Sequence, residues 1–242
     1  METDSENDPL RDNILQTLRG KALEKQRIYD NTFEIFQLVK EVLHELANEM
    51  NEELQGLDKR VKLEYRDRGQ YEAEIRVAGD ILVFSMHSNI FQFDRSHIIW
   101  KTPYARQNEM NTYCGMINIY NFLTDSFRLN RLDDLGYLVG RIFINKDSHY
   151  FVEGKRQMSF TCHNFGSKAI DKNSVRQIAE TAIQYSLNFD LLVPPYDATK
   201  IVSVAQINNK IEDSKIQTGK RLGFQFNSDD VVGKDVHVSH AG

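Results

Sequence analysis

The sequence predicts an α+β fold in which a curled antiparallel meander sheet of about six to eight strands is flanked by N-terminal and C-terminal helices. Apolar and polar residues alternate with period two across much of residues 60–162, which is typical of half-buried strands. Before and after that stretch, apolar residues recur at helical spacing. We therefore expect a helical segment over residues 1–58, an α+β domain over 59–215 and a flexible C-terminal tail over 216–242.

The first helix is expected to begin at Asp8-Pro9, because aspartate caps helix N-termini and proline is tolerated in the first helical turn. The apolar residues that follow at helical spacing are Leu10, Ile14, Leu15, Leu18, Ala22 and Leu23.

A second and stronger helix is predicted over residues 31–55, ending near Gly56. Its apolar stripe consists of Phe36, Val39, Leu43, Leu46, Met50 and Leu57, widened by Ile35 and Val42. A stripe of this kind must be buried, either on the sheet of its own chain or on a second copy. Together with the open edges of the predicted sheet, it leads us to expect a homodimer.

The first hairpin can be predicted with its register. Leu63 and Tyr65 alternate with charged residues, and the apolar pattern resumes after a turn at Ala73 and Ile75. Matching apolar to apolar residues places Leu63 opposite Ile75 and Tyr65 opposite Ala73, with Gly69 at positive φ in the loop.

A second hairpin is predicted around residues 146–147. A two-residue turn there places Arg141 opposite Val152 and Gly140 opposite Glu153, and both faces are largely apolar, so we expect cover on both sides. The other strands are expected at residues 81–87, 89–93, 97–100, 112–123 and 157–162, with a loop over 103–111.

The C-terminal third is predicted to form two helices. Ser174 and Gln177 make a capping-box pattern for the first, and Asp197 caps the second. The apolar stripe of the first consists of Val175, Ile178, Ala179, Ala182, Ile183 and Leu187.

Composition and charge exclude several classes of function. The net charge is −5, from 30 basic and 35 acidic residues, so no global basic field is available for nucleic acid. No apolar run approaches membrane-spanning length, and the acidic residues 1–8 do not resemble a secretory signal. With only Cys114 and Cys162 in the chain, we expect a cytoplasmic protein. No cofactor and no metal ion are expected, because no ligand or nucleotide-binding pattern is present.

One short motif points to catalysis. Glu153-Gly154-Lys155 ends a predicted strand, and Asp134 enters the strand before it, which resembles the metal site of the PD-(D/E)xK nucleases. In the predicted register Glu153 faces Gly140, about 20 Å of strand away from Asp134. Ligands of one cation must lie within a few ångströms of each other, so we expect no metal-dependent nuclease activity.

Two strand glycines, Gly115 and Gly140, are read first as points of sheet curvature. The alternative is a ligand cavity under the sheet with Arg141 as its polar anchor, because an arginine in an apolar strand needs a carboxylate, an anionic ligand or solvent. The aromatic residues expected to line that cavity are Tyr113, Tyr120, Phe122, Tyr137 and Phe151.

The sequence therefore favours a non-catalytic, self-associating adaptor or chaperone-like module that binds a protein partner. The expected interaction residues are those of the second helix: Phe36, Val39, Leu43, Leu46 and Met50. A small-molecule binder near Arg141 is the alternative, and the nuclease is the third hypothesis. No catalytic residue is assigned.

Overall fold

An open antiparallel sheet of seven strands forms the centre of the structure, with a long N-terminal helix and a C-terminal helix packed on one face. The computed structural model describes residues 9–58, 60–154 and 165–189. The strands are β1 (Leu63–Asp67), β2 (Glu72–Val77), β3 (Asp80–Met86), β4 (Phe91–Gln92), β5 (Tyr113–Leu123), β6 (Tyr137–Ile144) and β7 (Tyr150–Gly154). Their order in the sheet is β1-β2-β3-β5-β6-β7, and β4 also pairs with β5. The predicted fold class is confirmed.

The helices are α1 (Pro9–Thr17), α2 (Leu23–Glu53), α3 (Pro103–Gln107), α4 (Thr124–Arg128) and α5 (Lys172–Leu187). A π-helical turn at Leu18–Ala22 joins α1 to α2, so the predicted break between two N-terminal helices was wrong. Gly20 is the only residue there with weak helix propensity, and the π turn accommodates it. The helix ends before Gly56, which has a φ of +92°, as predicted.

The apolar stripe of α2 packs within the chain. Phe36, Val39, Leu43 and Leu46 are fully buried against the sheet and α5, and Met50 is partly buried in the same cluster. Of the two alternatives for this stripe, the structure shows the intramolecular one. Leu57 lies past the helix end and is 60% exposed, so it does not belong to the buried stripe.

Helix α5 begins three residues earlier than the capping-box pattern predicted. Asp171, not Ser174, is the N-cap, and its carboxylate accepts hydrogen bonds from the Ser174 amide (2.7 Å) and hydroxyl (2.6 Å). These bonds lower the pKa of Asp171 to about 2. Lys172 then reaches Glu41 and Glu45 of α2 at 2.6 and 2.7 Å, tying the two helices together.

Helix α5 also carries most of its predicted apolar stripe into the core, although Leu187 at its end is 53% exposed. The residues of that stripe that are buried are Val175, Ile178, Ala179, Ala182 and Ile183. The predictions for residues 157–162, for the helix capped by Asp197 and for the tail over 216–242 lie outside the described residues.

The first hairpin has the predicted faces but not the predicted register. Leu63 lies opposite Val77 and Tyr65 opposite Ile75, two residues from the expected partners. Pairing of the two strands extends to the turn, where the Arg68 amide donates a hydrogen bond to the Glu72 carbonyl at 3.1 Å. A shift of two residues leaves every side chain on its original face. Gly69 has the predicted positive φ, at +96°.

The register of the second hairpin differs from the predicted register by one residue. Residues of the two strands that were expected to share a face of the sheet therefore lie on opposite faces. Arg141 lies opposite Glu153 and Gly140 opposite Gly154. The loop is longer than two residues because Ser148 adopts a φ of +56° and the Asn145 amide donates to the His149 carbonyl at 3.0 Å.

Residues 97–112 are helical rather than extended. The predicted strand at 97–100 is a 3-10 turn (Ile98–Lys101) capped by the His97 ring, which accepts from the Ile99 amide at 3.3 Å. The predicted loop at 103–111 contains α3, with Thr102 as N-cap and Pro103 in its first turn. The Thr102-Pro103 pair is a helix-start signal that the loop prediction overlooked.

The two faces of the sheet are covered by different parts of the chain. Helices α2 and α5 cover one face, and the short helical segment after β4 covers part of the other together with Phe165. The second cluster contains Ile99, Ala105, Cys114, Phe143, Phe151 and Phe165.

The two strand glycines have separate explanations. A Cβ on Gly115 would lie 2.0 Å from the Thr32 Oγ1 of α2, so glycine permits the close approach of helix and sheet. Gly140 lies beside a register shift between β5 and β6, where Ile119 pairs with Gly140 but Tyr120 pairs with Leu138. The curvature interpretation fits Gly140, whereas Gly115 serves helix packing.

We predict that Gly115→Ala lowers the free energy of unfolding by about 1–3 kcal/mol, because the added methyl overlaps Thr32 and an overpacked core must shift. Urea unfolding measures the change. Gly79→Ala is the matched control, since nothing lies within 4 Å of a Cβ at that position. Equal stability of the two variants would show that α2 does not rest on Gly115.

Candidate functional site

The six residues predicted to form a cavity lie on both faces of the sheet. Tyr113 and Tyr137 face the helices: Lys21 and Lys25 lie 5.3 and 5.1 Å from the Tyr113 ring, and Tyr137 packs 5.0 Å from Phe189. The remaining four are on the opposite face: Tyr120, Phe122, Arg141 and Phe151. The structure therefore does not bring all six together around one cavity.

Even on the opposite face these four residues form separate contacts. Phe122 packs against Phe127 of α4 at 5.3 Å, and Phe151 stacks with Phe143 at 6.0 Å. Only Arg141 and its surroundings remain as a candidate site for a small ligand.

Arg141 is engaged by Glu153, its direct neighbour across the β6–β7 ladder. Its Nε donates to Glu153 Oε2 at 2.8 Å, and a second guanidinium nitrogen donates to the same oxygen. The guanidinium also lies 5.3 Å from the Phe143 ring. The side chains are 37% and 45% exposed, so this is a solvated ion pair rather than a buried one.

Two shallow, open pockets flank this ion pair. One, of about 270 Å³, lies at Gly140 and Gly154, and the other, of about 260 Å³, is walled by aromatic residues that include Phe91 and Phe93. An anionic ligand entering either pocket would have to compete with Glu153 for Arg141.

The carboxylates of the nuclease-like motif are held in separate places. Asp134 accepts from the Ser126 hydroxyl at 2.7 Å and pairs with Arg131 at 3.2 Å, whereas Glu153 pairs with Arg141. Lys155 lies outside the described residues. Within the described ranges, no group of three or more His, Cys, Asp or Glu side chains could hold a metal ion.

The perturbed titratable groups near the sheet are structural. Burial raises the pKa of the Cys114 thiol to about 12, which leaves it unreactive at neutral pH. Burial, and then the hydrogen bond that Tyr104 donates to Asp147, raise the pKa of Tyr104. That bond ties α3 to the β6–β7 turn, and neither group is poised as an acid, base or nucleophile at neutral pH.

A different feature stands out at the N terminus. No residue of α1 or of the π turn is buried, and the first buried residue of the helix is Ile28. Three apolar side chains four residues apart form an exposed helical stripe: Leu10, Ile14 and Leu18 are 67%, 51% and 55% exposed. The sequence showed this spacing, but a function was assigned only to the stripe that proved to be core.

The exposed helical stripe lies in a locally basic segment. Residues 9–27 carry five basic residues against two acidic ones, although the whole chain has a net charge of −5. The basic residues are Arg11, Arg19, Lys21, Lys25 and Arg27, and the acidic ones are Asp12 and Glu24. Apolar and basic side chains therefore occur together in this largely exposed segment.

The β1 edge of the sheet is blocked by α2 at Leu63. The Asn51 side chain of α2 donates to the Leu63 carbonyl at 2.7 Å and accepts from the Leu63 amide at 2.9 Å. Both edge groups of that residue are thereby satisfied, so a strand added from another chain could not pair there.

Comparison of the sequence with protein-family models, and of the chain with curated proteins and solved structures, gives no match. None of the described helices is both long enough and apolar enough to cross a membrane.

We predict that Arg141→Met changes the free energy of unfolding by less than about 1 kcal/mol, because its ion pair with Glu153 is solvated. Arg131→Met is the contrasting variant. The Arg131 and Asp134 side chains are only 5% and 12% exposed, so losing that arginine should cost on the order of 3 kcal/mol. Urea unfolding of both variants tests the contrast, and a larger cost for Arg141→Met would contradict it.

Proposed function

We propose that the protein is a non-catalytic protein-interaction module, an adaptor or chaperone-like protein that docks its partner on the exposed helical stripe. The observation that carries the proposal is the exposure of Ile14 and Leu18, at 51% and 55%, on a helix that has no buried residue before Ile28. Apolar side chains that recur on one face of a surface helix are a common docking surface for another helix.

The basic residues beside the stripe define the partner's chemistry. An amphipathic helix with an apolar face and acidic flanks would cover Ile14 and Leu18 while placing carboxylates near Arg11 and Arg19. We take such a helix as the occupant.

The predicted interaction surface on α2 does not support this function, because Phe36, Val39, Leu43 and Leu46 are already buried in the core. We therefore retain the class of function expected from the sequence and place the docking surface at the N-terminal end of the same helix. A cytoplasmic setting suits the free, buried Cys114.

A second candidate function is small-molecule binding in the pockets beside Arg141. It is supported by the cavity of about 260 Å³ with an aromatic wall and the guanidinium at its rim. The competing ion pair with Glu153 makes it the weaker of the two proposals.

We predict that a fluorescein-labelled synthetic helix, with leucine on one face and glutamate on both flanks, binds the full chain with a Kd of roughly micromolar order. Ile14→Asp combined with Leu18→Asp should weaken that binding at least about tenfold, because charges replace the apolar contact. Fluorescence anisotropy measures the affinity.

The matched control is Asn13→Asp with Gln16→Asp, which adds the same charge at exposed positions off the stripe and should retain binding to within about twofold. A peptide with lysine in place of glutamate should bind less tightly. Absence of saturable binding, or equal loss in the control variant, would overturn the proposed docking surface.

A further inference from the structure

We infer that the aromatic pocket beside Arg141 binds an organic cation with a methylated ammonium group, such as choline, an inference that rests on the second candidate function and names its class of ligand. The sequence suggested the opposite charge, because Arg141 was expected to anchor an anion. The described residues that line the pocket lie on β4 to β7 and on the segment after β4, on the sheet face opposite α2 and α5.

The described lining of this pocket has one net negative charge. Arg141 is its only cationic side chain, against the carboxylates of Asp94 and Glu153. Two guanidinium nitrogens of Arg141 donate to Glu153, so these two charges compensate each other. Asp94 has no ion-pair partner among the described residues. A cation in the pocket would therefore meet an uncompensated carboxylate, whereas an anion would be repelled by it.

Local hydrogen bonds set the charge states of the other titratable groups in the lining. The Ser96 hydroxyl and amide donate to the Asp94 carboxylate at 2.6 and 2.9 Å and lower the pKa of Asp94, so it is ionised at neutral pH. The His97 ring accepts from the Ile99 amide at 3.3 Å, which requires the neutral imidazole. The buried Cys114 thiol, with its pKa of about 12, is also neutral.

Aromatic rings provide the second feature that an organic cation needs. Phe91, Phe93 and Phe143 line the pocket, and Phe91 is 36% exposed, so its ring is accessible to a ligand. The same kind of contact already occurs within the chain, because the Arg141 guanidinium lies 5.3 Å from the Phe143 ring. A trimethylammonium group has no N–H to donate, so it gains this attraction without requiring further polar partners.

The size of the pocket suits a small head group. Its volume of about 260 Å³ lies just below the range of about 300–1,000 Å³ that is typical of ligand pockets. Because the pocket is also shallow and open, we expect a Kd of roughly millimolar order for choline alone.

Binding is measured through the fluorescence of Trp100, the only tryptophan of the chain, whose Nε1 donates to the Phe93 carbonyl at 3.0 Å. Saturation-transfer NMR of the choline methyl protons gives a second readout. Choline chloride should show saturable binding, and sodium chloride at the same ionic strength should not. The uncharged carbon analogue 3,3-dimethylbutan-1-ol should bind at least about tenfold more weakly, because it has the same shape without the charge. Sodium benzoate, an aromatic anion, should also bind at least about tenfold more weakly.

The contribution of Asp94 is tested by Asp94→Asn, which should raise the Kd for choline at least about fivefold. Asparagine keeps an oxygen that can accept from Ser96, so the local fold is preserved. Asp133→Asn is the matched control, since Asp133 is exposed in the loop before β6, and it should change the Kd less than about twofold.

The contribution of the rings is tested by Phe91→Leu, which keeps an apolar side chain but removes the ring. The Kd for choline should rise at least about threefold. Phe127→Leu removes a ring that is 42% exposed on α4 and should leave the Kd unchanged. Equal effects of the two substitutions would show that the aromatic wall does not hold the cation and would overturn the inference.

The methylated ammonium group can belong to a free small molecule or to a trimethyllysine side chain of a protein. N-acetyl-trimethyllysine amide distinguishes these sources. A Kd at least about tenfold below that of choline would support the inference and assign the group to a modified protein, whereas an equal or higher Kd would support it with a small molecule as the source.

The outcomes separate this inference from the proposed functions. Choline binding that Asp94→Asn weakens and Asp133→Asn does not would support the inference. If benzoate or dimethylbutanol binds more tightly than choline, the cation is overturned and small-molecule binding stands. If none of the three binds, the inference and the second candidate function are both overturned. Docking at the exposed helical stripe is tested separately by the glutamate-flanked peptide, and Ile14→Asp with Leu18→Asp should leave choline binding intact.

Discussion

The architecture depends on the burial of one face of α2 against the sheet. Phe36, Val39, Leu43 and Leu46 are fully buried there, and the helix can come this close because Gly115 leaves space for Thr32. The same contact determines where the buried part of the helix begins. Buried residues of the helix begin at Ile28. Towards the N terminus the helix still contacts the sheet through Lys21 and Lys25, which lie over the Tyr113 ring, but the exposed helical stripe stays in solvent. The core contact and the proposed docking surface thus lie on two parts of one continuous helix.

Strand register decides which polar groups reach the open face. A one-residue change in the β6–β7 hairpin places Arg141 beside Glu153 instead of Val152, and this turns an isolated strand arginine into half of a solvated ion pair. The buried counterpart is Arg131 with Asp134, which holds the loop after α4. Neither pair belongs to a cluster with the geometry of a catalytic centre. Within the three described ranges of the chain, no group of three or more His, Cys, Asp or Glu side chains could hold a metal ion.

The sequence predicted the fold class, most of the strands and most residues of the buried stripes, because period-two and helical patterns report directly on burial. It was wrong at residues 97–100, which form a 3-10 turn, and at Leu57 and Leu187, which are exposed. It did not predict the register of the β6–β7 hairpin. The turn there has Ser148 at positive φ and is stabilised by backbone hydrogen bonds of Asn145, and the residue types at the turn do not indicate this conformation. It also could not show which of two apolar stripes on the same helix would meet the sheet. Leu43 and Ile14 both belong to apolar stripes at helical spacing. Only the positions of Gly115 and of the strands in the folded chain show that Leu43 is buried and Ile14 is exposed.

In the proposed function one helix has two roles: residues 28–53 are covered by the chain's own sheet, whereas residues 9–22 are exposed and bind the partner. Hydrogen exchange followed by mass spectrometry tests this directly when it is measured with and without the glutamate-flanked peptide. The amides of residues 28–53 should be protected in both samples, and protection of residues 9–22 should rise when the peptide is added. Protection of residues 9–22 that does not change on addition of the peptide would contradict this division of roles.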